Sequence, residues 1–146
     1  MSKLTREHWD KRFMRLALEV RSWVKGPDAG VGAVITDTRN RVRSVGYSGL
    51  PRGMLDNNER LTDPEFKDQY MVHAELNAIL NATTQLDGCT LYATKAPCTK
   101  CAAAILQAGI ARVVSPAPDK ESRWHQNQVE ARGLLRAMLI SVDTAP

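Results

Sequence analysis

Two short stretches hold the side chains best suited to chemistry, His73-Ala-Glu75 and Pro97-Cys-Thr-Lys-Cys101. One imidazole and two thiolates are soft-to-borderline ligands that suit a tetrahedral zinc ion. Three protein ligands leave the fourth position to water, which is the arrangement of a catalytic rather than a structural zinc. Cys98 and Cys101 are three apart, so at the start of a helix both sulfurs can face one side. A helix N-terminus also favours thiolates, and Pro97 suits the entry to that helix because its missing N–H costs nothing there. Glu75 follows His73 by two, and positions two apart do not share a helix face. Both therefore reach one centre only if His73 stands at the very start of its helix. Glu75 then lies beside the water without ligating the ion, placed to act as general base and then general acid. His73, Cys98 and Cys101 are the expected ligands of one zinc per chain, and Glu75 is the expected catalytic residue.

Other uses of the same residues exist. A C-x-x-C pair alone also serves redox chemistry. A closed structural zinc site needs a fourth protein ligand, and Cys89 is the obvious candidate. Cys89 follows Gly88 at an expected strand start, where a small buried hydrophobe is usual. The pairing of His73 with Glu75, followed by P-C-x-x-C after a strand, favours the catalytic reading.

The rest of the chain must position these groups. Its 146 residues fit one domain, 1–146. With 43% hydrophobic and 25% charged residues it is neither disordered nor collagen-like. No apolar run approaches the roughly 20 residues that span a bilayer, and the first ten hold no apolar core of a secretory leader. Three cysteines, an odd number, argue against a disulfide framework and for the cytosol. The net charge of +4 suits a phosphorylated substrate without demanding one.

Leu4, His8, Trp9, Phe13, Leu16, Ala17, Val20 and Val24 recur at helical spacing, up to Gly26-Pro27. Trp9 and Trp23 read as core or interface residues of that helix. Residues 31–35 and 42–47 read as paired strands. A glycine loop follows, and 54–72 reads as an irregular excursion. Helices are expected over 73–83, 100–108 and 129–138, with strands at 90–94, 110–115 and 139–142. The alternation predicts an α/β sandwich of helices over a mostly parallel five-stranded sheet.

At these residues the chain resembles the cytidine deaminase superfamily, and more closely its deoxycytidylate deaminases. The resemblance is carried by Val31-Gly-Ala-Val-Ile35, Gly46-Tyr-Ser-Gly-Leu-Pro-Arg-Gly53, His73-Ala-Glu-Leu-Asn-Ala-Ile-Leu80, Pro97-Cys-Thr-Lys-Cys-Ala102 and Gln107-Ala-Gly-Ile110. It implies a cytidine deaminase-like three-layer sandwich, a five-stranded mixed sheet flanked by helices. It also implies zinc-dependent hydrolysis of dCMP to dUMP, with dCTP and dTTP as effectors and a homo-oligomer, often a hexamer. Ser48 stands where the family usually has an Asn that would meet the sugar hydroxyl. Ser48, Ala74 and Pro97 are the candidate substrate contacts within these blocks, and Lys25, Arg52 and Lys95 the candidate phosphate donors. Trp124 is a candidate aromatic wall where many members have a tyrosine. The alternative is a deaminase acting on a base in tRNA or single-stranded DNA. It is disfavoured because such proteins need a basic track and stacking aromatics, and aromatics are only 5% here.

Overall fold

A computed structural model describes residues 3–146. Helix α1 (Arg6–Arg21) begins where the Thr5 hydroxyl accepts the His8 N–H at 3.3 Å. Strands β1 (Gly32–Thr36) and β2 (Val42–Tyr47) form an antiparallel hairpin. Next come α2 (Asn58–Thr62), α3 (Pro64–Tyr70), α4 (Ala74–Asn81), β3 (Thr90–Ala93), α5 (Thr99–Gln107), β4 (Arg112–Ser115), α6 (His125–Ala137) and β5 (Ser141–Thr144). No helix among the described residues is long and apolar enough to cross a membrane.

The five strands make one mixed sheet in the order β2-β1-β3-β4-β5. The expectation of a mostly parallel sheet needs correction. β3–β4 and β4–β5 are parallel, but β1 pairs antiparallel with both β2 and β3. Both neighbours of β1 run opposite to it: β2 follows by a hairpin, and the helical connection through α4 brings the chain back so that β3 runs in the same direction as β2.

Strand alternation divides the core into two layers. Ala33, Ile35, Leu91, Ala93 and Val113 face α4, α5 and α6. Val34, Tyr92 and Val114 face Phe13, Ala17 and Val20 of α1. The result is helix–sheet–helix. Trp9 joins the α1 layer and stacks on Phe13 with centroids 5.6 Å apart. Trp23 lies outside it, exposed and edge-on to Tyr47.

The excursion at 54–72 is helical, contrary to its reading as irregular. Asn57 caps α2 by accepting the Arg60 N–H, and Asp63 caps α3 by accepting those of Glu65 and Phe66, with Pro64 in the first turn. The residues read as breakers are caps. The last strand starts two residues late for a related reason. Leu139 adopts φ +65°, its N–H bonding the Arg136 carbonyl and that of Ile140 the Leu135 carbonyl. That left-handed cap ends the last helix and delays pairing to Ser141. The same helix begins at His125, four residues before the expected start.

One glycine sets how closely α4 approaches the sheet. A Cβ on Gly46 would lie 2.3 Å from the Ala78 nitrogen and 2.5 Å from the Ala74 oxygen. Those atoms are backbone and cannot rotate away. Gly46→Ala is expected to cost about 1–3 kcal/mol and to push the start of α4 out of place. A lower urea midpoint together with reduced zinc stoichiometry would show both effects; a midpoint equal to wild type would refute the close packing.

Candidate active site

His73 and Cys98 occupy equivalent places, the N-caps of α4 and α5, and neither uses its side chain for capping. At α5 the task passes to Asn127 of α6. Its Oδ1 accepts the Thr99 N–H at 2.9 Å, and its Nδ2 donates to the Thr99 hydroxyl at 3.0 Å. The Cys98 sulfur is thereby free. His73 Nδ1 lies 3.4 Å from Cys98 Sγ and 3.5 Å from Cys101 Sγ. All three ligand atoms fall within 4.8 Å of one another.

This donor set fits zinc. A tetrahedral ion with Zn–N about 2.1 Å and Zn–S about 2.3 Å has N···S edges of about 3.6 Å. Both helix N-termini add positive potential where negative sulfur must sit. Hydrogen bonding from Cys101, assisted by His73, pulls the Cys98 thiol well below its ordinary value, and the same contact together with burial pushes Cys101 up. Cys89 is buried among the side chains between the sheet and α4–α6, and the clustered metal-ligating groups among the described residues are His73, Cys98 and Cys101. That leaves three protein ligands.

Glu75 is 4% exposed and lines the same cleft as His73 and Cys98. His73 is extended (φ −67°, ψ 152°) rather than helical, which lets two residues of spacing bring imidazole and carboxylate together. Burial raises the Glu75 carboxyl above its ordinary value.

The cleft has a volume of about 790 Å³. Ser48, Lys25, Lys95 and Trp124, candidate contacts from the sequence, are among the residues that line it. The Ser48 hydroxyl accepts the Val31 N–H at 2.9 Å. Lys25 pairs with Asp56 at 2.9 Å. Trp124 stands edge-on to the His73 ring, centroids 6.4 Å apart. Arg52 is exposed and not among the lining residues. Ala74 is fully buried in the core, and Pro97 is buried beside a much smaller cavity.

Several lining groups went unread. Lys67 and Asp68 reach the cleft from α3, Lys67 pairing with Asp28 and Asp68 with Arg123 at 2.6 Å. The Arg123 guanidinium also lies over Trp124, 4.9 Å from the ring centroid. The Asp63-Pro64 cap was a usable signal for α3 and hence for these two residues. Arg21 and Gln128 also line the cleft, and a lone arginine or glutamine on a helix gives no such signal.

Residues 7–116 match the family described as the cytidine and deoxycytidylate deaminase zinc-binding region. An uncharacterized deaminase from the luxG 3' region of Aliivibrio fischeri is 45% identical over 118 residues, covering 80% of this chain and 79% of that protein. Human deoxycytidylate deaminase is 37% identical over 114 residues, covering 73% of this chain. The matched part spans 63% of the human protein's length. The dCMP deaminase of the cyanophage S-TIM5, solved with dCMP and dUMP, superposes with a TM-score of 0.75 at 21% identity, over 97% of this chain and 99% of that one.

Proposed function

The chain belongs to the cytidine and deoxycytidylate deaminase family, and from that premise we propose that it hydrolyses dCMP to dUMP and ammonia. The observation that carries this reading is the His73, Cys98 and Cys101 cluster with buried Glu75 on the same cleft. The relatives bearing the name deoxycytidylate deaminase supply the substrate. All five strands share one sheet, which supports reading 1–146 as one domain.

His73, Cys98 and Cys101 would hold the zinc. When bound, zinc supplies Lewis acidity, which makes a water nucleophile available at neutral pH. Glu75 is the proton carrier. Its carboxylate takes a proton from the attacking water and passes it to the ring nitrogen next to C4. A second proton goes through the same carboxylate to the amino group, which leaves as ammonia while C4 gains oxygen. A buried acid suits both halves, because burial brings its pKa toward the working pH. Trp124 walls the base. The Ser48 hydroxyl accepts the Val31 N–H at 2.9 Å and donates to the Val31 carbonyl only at 3.5 Å, a long bond that its proton exchanges for one to the sugar. Lys25 and Lys95 face the phosphate. We assign Arg52 no direct contact, and Ala74 and Pro97 act by shaping the backbone around the base.

Turnover of free dCMP is compared with that of dCTP, deoxycytidine, 5-substituted dCMP and a single-stranded oligonucleotide. The expected result is preference for the monophosphate. Turnover of the oligonucleotide alone would overturn it and favour the nucleic-acid reading. The effector role of dCTP and dTTP and the hexamer rest on the family resemblance; the same assay with added nucleotide, and the mass in solution, decide them. A cytoplasmic location agrees with three cysteines left as free thiols.

A further inference from the structure

The segment between β4 and α6 walls one side of the cleft, and a single buried side chain ties it down. Gln128 lies in the first turn of α6, is 2% exposed, and lines the cleft. Its Oε1 accepts the Asp119 N–H at 3.1 Å. Asp119 organises the rest of the loop. Its carboxylate accepts the Glu121 N–H at 2.9 Å, and its carbonyl accepts the Ser122 N–H at 3.1 Å. The Ser122 hydroxyl accepts the Trp124 N–H at 3.1 Å, and the Gln128 N–H returns to the Trp124 carbonyl at 2.8 Å. The hydrogen bonds form a closed circuit, from Gln128 out to Asp119 and back to Trp124.

The circuit ends at Arg123 and Trp124, which line the cleft from this wall. Trp124 meets the His73 ring edge-on, and Arg123 lies over Trp124 and pairs with Asp68 across the cleft. A leucine of similar size would fill the Gln128 position without the cost of burying an amide. A polar group this deep persists where its hydrogen bond holds something in place, and here that is the loop.

We propose that Gln128 is a positioning residue for the reaction: by holding Asp119 it fixes the 116–124 loop so that Trp124 stands against the base. It acts on substrate affinity rather than on proton transfer. The kinetic consequence rests on the deaminase reading above; the loop-holding role does not.

The test uses zinc-loaded protein with two readouts, hydrogen exchange of the Asp119 amide and the 116–124 segment, and steady-state kinetics with dCMP. Gln128→Leu removes the acceptor and keeps the bulk. Loop exchange is expected to speed up about tenfold and KM to rise about tenfold, the equivalent of one lost hydrogen bond. kcat should stay within about threefold, since Glu75 is untouched. Gln128→Glu keeps an oxygen for Asp119, and at about pH 6, where burial favours its uncharged acid form, both values should lie within about threefold of wild type at the same pH. A purely structural role would lower the melting temperature of both variants and leave KM and loop exchange alone, which overturns the proposal. So does Gln128→Glu proving as impaired as Gln128→Leu. Should Gln128→Leu not fold, the wild-type protein decides: an Asp119 amide that exchanges as fast as an unprotected one overturns the proposal without any variant. If wild type fails to turn over dCMP, the substrate assignment falls and the exchange readout alone judges Gln128.

Discussion

Glu75→Gln is expected to lower dCMP turnover by roughly 10²–10⁴-fold while one zinc per chain stays bound. Glutamine keeps the shape of the side chain and can still hydrogen-bond, but it neither takes nor gives up a proton at pH 7. The ligands His73, Cys98 and Cys101 are untouched, so metal content should not change. The fold should not suffer either, because a buried neutral amide costs less than a buried carboxylate. Kinetics and metal analysis on the same preparation separate the possibilities. Full activity would remove Glu75 from its role as proton carrier. Loss of zinc along with activity would make it part of the metal site instead.

Asp10→Ala should produce the largest stability loss, about 3–5 kcal/mol for breaking a buried ion pair on one side. Asp10 is a buried residue of α1, facing the sheet network below it. It accepts from Arg112 through both oxygens at 2.8 and 2.7 Å, from the Tyr92 hydroxyl at 2.6 Å and from Arg6 at 3.2 Å. Arg112 also reaches Asp143 on β5 at 2.7 Å. The network therefore ties α1 to β3, β4 and β5. Burial by itself would raise the Asp10 carboxyl, but hydrogen bonds from Arg112 and Tyr92 and the charges of Arg112 and Arg6 outweigh it and hold the group below its ordinary value. A carboxyl depressed in the folded state stabilises above its unfolded pKa, about 3.9, and that stabilisation drains away as pH falls through the folded value. Wild type should thus lose stability steeply below about pH 4, and the variant should start lower and fall less. Parallel curves, measured by denaturant midpoints from pH 7 downward, would show that Asp10 carries no such linkage.

The residues that could be read were those with a narrow chemical meaning. His73, Cys98 and Cys101 announce a metal by type and spacing, and the structure brings them together. The helices and strands whose apolar period is strong, such as α1 and β2, appear close to their expected places. Legibility failed where one residue type serves two purposes. Asn57 and Asp63-Pro64 look like chain breakers, yet they start helices, because the same side-chain oxygen that interrupts one helix caps the next. Strand direction failed for another reason. Which edge of β1 receives β3 is settled by packing across the sheet, and no local pattern encodes it. Charge pairs such as Asp68 with Arg123 join positions 55 apart in sequence, beyond any reading by period. Gln128 was invisible because its importance lies in depth, not in type.

The placement of ligands at the two caps has a mechanical side. His73 closes the top of one helix and Cys98 that of another, 25 residues later. An ion held between them is a rivet through a seam, shortening the slack of everything strung between the two points. Stripping it with a chelator should loosen that seam ahead of the hairpin edge. The rate at which the protein surrenders its zinc then serves as a clock for how often the two helices part.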